Sequence, residues 1–112
     1  MILVDSNVPL DIVTNDPVWS TWSATTMKSL ARSHQLLINP IIYAELSITF
    51  STIAALETSV QRMQLKLVDI PREAAFQAGK AFLQYRKSGG TKANVLPDFF
   101  IGAHALAIGA RF

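Results

Sequence analysis

Three of the eight acidic residues in this 112-residue chain stand in strongly apolar sequence: Asp5 in MILVD, Glu45 in PIIYAEL and Asp98 in VLPDFFIGA. Ionised carboxylates are rarely placed among apolar neighbours without a compensating partner. Gathered in one crevice they would repel one another, raising at least one pKa unless a cation stood among them. The chemistry open to such a set is divalent metal binding. With no cysteine and only two histidines, His34 and His104, the ligands would be oxygens, which suit magnesium or manganese. Ser6 and Asn7, directly after Asp5, could add neutral polar groups at the rim. The same carboxylates could equally be strand-end and capping residues, and spacing alone leaves both readings open. The other acids have ordinary places: Asp11, Glu57 and Glu73 on polar helix positions, Asp16 as a cap before Pro17, and Asp69 near Pro71 in a loop or cap.

Whether the three meet depends on the elements that carry them. Ile2-Leu3-Val4 is an apolar, β-branched run broken by Asp5-Ser6-Asn7, which predicts a buried strand ending in a polar loop. Asp16-Pro17 starts a helix over 17–33, with Trp19, Trp22, Thr26 and Leu30 at helical spacing. A second strand at 36–38 leads through Asn39-Pro40 into a helix carrying Ile42, Leu46 and Phe50, so Glu45 falls in its second turn. A helix over 51–64 and a third strand at 65–70, stopped by Pro71, come next. Residues 72–87 predict a helix with Ala75, Gly79, Phe82 and Arg86 on one face, ending at Ser88-Gly89-Gly90. Pro97 opens the last helix, with Asp98 in its first turn, and residues 109–112 turn toward one more strand.

Apolar strands alternating with helices argue for one α/β domain over 1–112, built on a mostly parallel sheet. In such folds the carboxyl ends of the strands and the amino ends of the following helices share one edge. Asp5, Glu45 and Asp98 are therefore expected to converge there.

With these pieces in place, the sequence resembles the PIN-domain family of nucleases, and within it the VapC-type toxins of bacterial toxin–antitoxin pairs. The resemblance rests on VDSN at 4–7, Glu45 in IIYAEL, YRKSGG at 85–90 and PDFFIGAHA at 97–105, in order along nearly the whole chain. It implies a doubly wound, three-layer α/β/α fold and Mg2+- or Mn2+-dependent endoribonuclease activity. It also implies Asp5, Glu45 and Asp98 as catalytic metal-site residues, with Asn7 supporting the site. The implied reaction is in-line attack of water on phosphorus, leaving a 5′-phosphate and a 3′-hydroxyl. Arg86, Lys87 and Lys92 would contact the RNA backbone, and a cognate antitoxin would cover a hydrophobic groove where exposed tryptophans are candidate contacts. PIN domains usually place a further acidic residue beyond the strand that would begin near Ala110, whereas this sequence ends at Phe112. The expectation is a C-terminally shortened fold lacking its last strand, with the 2–4 edge covered in a homodimer or higher oligomer. The alternative is a catalytically impaired PIN-like binding module that engages an antitoxin or RNA without cleavage.

Composition excludes several other classes. Half the residues are hydrophobic and 16% are charged, which argues against disorder. The lack of cysteine removes disulfide scaffolds, zinc fingers and thiol chemistry and fits a cytoplasmic setting. Neither a signal peptide nor a membrane helix is expected. A net charge of +2 says little about partners. Trp19, Trp22, Phe50, Phe76 and Phe82, at helical spacing, are expected in the core or an interface, and His104 as a hydrogen-bonded core histidine. A haloacid dehalogenase-like phosphatase would need Asp at Asn7, and a response-regulator receiver an acidic pair closing the first strand.

Overall fold

The computed structural model describes residues 1–13, 20–91 and 96–109. Three short strands, β1 (Ile2–Leu3), β2 (Leu36–Ile38) and β3 (Leu65–Leu67), form a parallel sheet in the order β1-β2-β3. Ile2 is in register with Leu36, and Leu36 in turn with Leu65. Parallel neighbours need crossovers, and here each crossover holds two helices. Between β1 and β2 run α1 (Asn7–Val13) and α2 (Ser20–Ala31); between β2 and β3 run α3 (Pro40–Ser47) and α4 (Ile53–Arg62). The helices α5 (Arg72–Lys87) and α6 (Leu96–Ala107) then pack against each other as a hairpin.

The core is built where these layers meet. Leu3, Leu36, Leu37 and Ile38 of the strands are buried with Met27 of α2, Ile42 and Leu46 of α3, Leu56 and Val60 of α4, and Ile101 and Ala105 of α6. β2, buried at all three positions, lies at the centre, whereas Lys66 and Leu67 leave β3 exposed over most of its length. No helix among the described residues is long and apolar enough to cross a membrane.

The parallel α/β architecture expected from the sequence is the one observed, with β2 and α5 at their expected bounds. Five details differ. The chain does not loop after Asp5 but enters α1 at Asn7, where Pro9 sits in the first turn and needs no helical N–H partner. The third strand stops at Leu67 rather than reaching residue 70, and Phe50 lies beyond the end of α3. On α5 the buried positions are Ala74 and Ala78, small enough for close approach to α6, rather than the face of Ala75 and Gly79. Trp22 and Phe76 are exposed, so they are not core residues. The expected features at Asp16, Pro17, Trp19, Lys92 and Ala110–Phe112 lie outside the described residues.

Candidate functional site

Asp5 follows β1 at the carboxyl edge of the sheet and is half-buried. Its Oδ2 accepts a hydrogen bond from Asn7 Nδ2 at 3.1 Å, which fixes the carboxylate's orientation. Its carbonyl accepts from the Val8 N–H at 3.2 Å, and that of Ser6 accepts from Leu10 at 3.0 Å, so the residues around the carboxylate also start α1. The Ser6 side chain is buried and Asn7 is exposed.

Asn39 ends the next strand at the same edge and N-caps α3: its Oδ1 accepts from the Ile42 N–H at 2.9 Å, and Pro40 opens the helix. Five residues after Pro40, Glu45 is half-buried. Among the described residues, its Oε1 is the one buried side-chain oxygen with no hydrogen-bond partner. A carboxylate oxygen shut away from water without a donor is unfavourable.

Asp98 lies in the first turn of α6, exposed, where the helix dipole favours negative charge. Lower on α6, His104 Nδ1 stands 3.1 Å from Asn39 Nδ2, and both residues are fully buried. Because the Asn39 oxygen is engaged by Ile42, its amide nitrogen must donate, so Nδ1 of His104 accepts and the proton is on Nε2. Burial pushes the His104 pKa down, in agreement with this neutral form. The bond ties α6, which carries Asp98, to the cap of α3, which carries Glu45. Sequence reading recognised the cap and the buried histidine separately; their pairing across 65 positions had no local signal.

Arg86 and Lys87 are exposed in the last turn of α5, and the Arg86 guanidinium lies 5.9 Å from the centroid of the Phe82 ring. Carboxylates, an amide and a hydroxyl form a hard oxygen donor set, and Glu45 Oε1 lacks the kind of partner a divalent cation would provide, so the donor chemistry fits one. Closeness is a separate matter. Among the described residues no three acidic or histidine side chains stand together as a metal-holding group, so the expected convergence of Asp5, Glu45 and Asp98 is not seen as a closed cage. One reason is that Asp98 precedes His104, the point where α6 meets the α3 cap, by six residues, or about 9 Å of helix rise, and faces solvent.

The described residues thus form a parallel sheet with paired-helix crossovers and Asp5 at its carboxyl edge. The chain matches the PIN domain family over residues 2–112 and belongs to it. The structure is similar to a chain in the crystal structure of VapBC2 from Rickettsia felis bound to a DNA fragment from their promoter. The TM-score is 0.73 at 20% identity, covering 98% of this chain and 84% of the other, which establishes a shared fold. No curated protein matches the chain by sequence.

Proposed function

We propose that this PIN domain is a divalent-metal-dependent endoribonuclease of the VapC toxin type, with Asp5, Glu45 and Asp98 as its acidic catalytic and metal-site residues. Membership of the PIN family across residues 2–112 carries the reading. The partnerless Oε1 of Glu45 supports it, because a buried carboxylate oxygen without a donor is better explained by a cation ligand than by packing. Mg2+ or Mn2+, when bound, supplies Lewis acidity for water attack on a phosphodiester and for the departing oxygen.

The chain's own residues have separable roles. Asn7 orients the Asp5 carboxylate by the 3.1 Å hydrogen bond. Ser6, buried beside it, supports the turn that presents both. Arg86 and Lys87, exposed at the end of α5, hold phosphates of the RNA strand, and Lys92 follows in the sequence. His104, buried and neutral, takes no proton from water; it keeps α6 against α3.

The partner reading has support from the opposite side of the sheet. A cavity of about 580 Å³ is lined by Ile12, Met27 and Met63 together with Lys28, Arg32 and Arg62. Arg32 precedes β2 and Met63 precedes β3, so the cavity opens at the amino ends of the strands. Apolar walls with three cations suit an acidic, apolar segment of an antitoxin. VapBC2, the similar assembly, is a toxin–antitoxin complex by its name, and we extend that pairing, with a homodimeric or higher assembly in the cytoplasm, to this chain.

The separating experiment is a calorimetric titration of the chain with manganese. Uptake that is lost in Glu45→Gln supports the nuclease. A folded chain that takes up no manganese, yet binds RNA or an antitoxin peptide, is the non-catalytic binding module instead.

A further inference from the structure

We propose that Gln64, at the turn from α4 into β3, is a specificity-determining residue of the cavity at the amino ends of the strands, where its side-chain amide pairs with the main chain of an acidic, apolar partner segment. The inference rests on the partner reading of that cavity and adds to it the residue that tells a peptide from any other apolar anion.

The turn is short. α4 ends at Arg62, and β3 begins at Leu65, which is buried in register with Leu36, so only Met63 and Gln64 lie between helix and strand. Met63 keeps a near-helical backbone, at φ −82° and ψ 0°, and its N–H donates to the Ser59 carbonyl at 3.0 Å. The change of direction therefore falls on Gln64, at φ +57°, whose N–H donates to the Gln61 carbonyl at 3.0 Å. Among the described residues it is the one non-glycine residue in the left-handed region. Glycine is the usual residue just past a helix end because it enters that region freely, whereas a Cβ crowds the following carbonyl.

The turn uses the backbone of residue 64 and has no need of its side chain. Gln64 is exposed, and its side-chain amide makes no hydrogen bond among the described residues. What the side chain does is line the cavity, next to Arg62 and Met63. A strained backbone that carries a side chain the fold does not employ points to a role for that side chain in binding.

The surrounding residues define the ligand. Lys28, Arg32 and Arg62, all exposed, stand with Met27 and Met63, and no carboxylate is among the described residues that line the cavity. The cations favour a negatively charged occupant, and the methionines adapt to apolar groups of varied shape. An apolar anion of any kind would satisfy that much. A glutamine amide adds a donor and an acceptor side by side, which complement the C=O and N–H of a peptide main chain. Together these select a peptide whose acidic and apolar side chains meet the cations and the methionines while its main chain is read at Gln64.

The test is fluorescence anisotropy of the full chain with two short labelled peptides, one alternating leucine with glutamate and the other leucine with lysine, beside the melting temperature of each chain. The native chain should bind the glutamate peptide in preference to its lysine counterpart. Gln64→Gly, which removes both the amide and the strain, should melt higher than the native chain and bind the glutamate peptide about tenfold more weakly. Gln64→Met, which keeps the length of the side chain and the strain, should lose affinity to the same degree with its melting temperature unchanged. A purely structural residue would move stability and affinity in the same direction. If the glycine variant fails to fold, the methionine variant decides alone. Native affinity in either folded variant, or a glycine variant that melts lower, overturns the role of Gln64 and leaves the partner reading standing. A native chain that binds neither peptide, or both equally, overturns the partner reading and the proposal with it.

Discussion

The helices that carry Glu45 and Asp98 deliver them into opposite surroundings. The inner face of α3 is shut away: Asn39, Ile42 and Leu46 are fully buried, and one Glu45 oxygen is buried without a partner. The start of α6 is open: Asp98 faces solvent beside half-buried rings and exposed cations. A hydrogen bond between Asn39 and His104 links the two regions. The contrast teaches that the site is anchored at α3 and open at α6. Changes at the α3 end should alter stability and chemistry together, and changes at the hairpin tip should alter substrate binding alone.

The largest departure is expected at the anchor. Glu45→Gln should reduce RNA cleavage by about 100-fold or more, as loss of a group acting on developing charge does. Its melting temperature should stay level or rise, because the substitution removes a partnerless buried charge. A lower melting temperature with normal cleavage would mean that Glu45 is a packing residue. Next in size, Asn39→Ala removes the α3 cap and leaves His104 Nδ1 without its donor, at a cost of about 2–3 kcal/mol in urea unfolding. A change below about 0.5 kcal/mol, the scale of an ordinary surface substitution, would contradict the link between the regions.

A smaller effect is pH-dependent. Burial holds the folded-state pKa of His104 below its ordinary 6.5, so the unfolded chain binds the proton more readily. The stability this provides is complete above 6.5 and is lost as pH falls from there through the folded-state pKa. His104→Gln, which keeps an acceptor for Asn39, should remove that part of the acid-side decline in urea midpoints; an unchanged profile would dismiss the histidine as its source. The smallest effect belongs to the open end. Arg86→Ala should lower the salt slope of RNA binding by about one and leave the melting temperature unchanged. A salt slope equal to that of the native chain would remove Arg86 from the substrate path.

What was legible in the sequence follows the same division between local and distant causes. Leu36-Leu37-Ile38 reads as a strand because its run is short, apolar and bounded, and α5 reads to its ends because Pro71 and Ser88-Gly89 mark them. The Asn39 cap is local and equally plain. The helix α1 was hidden because it has only seven residues and contains Pro9, which resembles a break until its place in the first turn is known. The family resemblance in VDSN, IIYAEL and PDFFIGAHA holds, as the match across residues 2–112 establishes. Sequence could not supply distance. Three acidic residues at one edge suggested convergence, but how far α6 carries Asp98 beyond its contact with α3 depends on packing between remote segments.

The nuclease assignment is tested most simply by manganese-dependent cleavage of a labelled single-stranded RNA by the full chain, beside Asp5→Asn and Glu45→Gln chains purified identically. A metal-dependent nuclease with these carboxylates should cleave the RNA, lose cleavage on chelation, and lose it in both variants while they remain folded. Cleavage that survives both substitutions, or a folded native chain that leaves the RNA intact with manganese present, would contradict it.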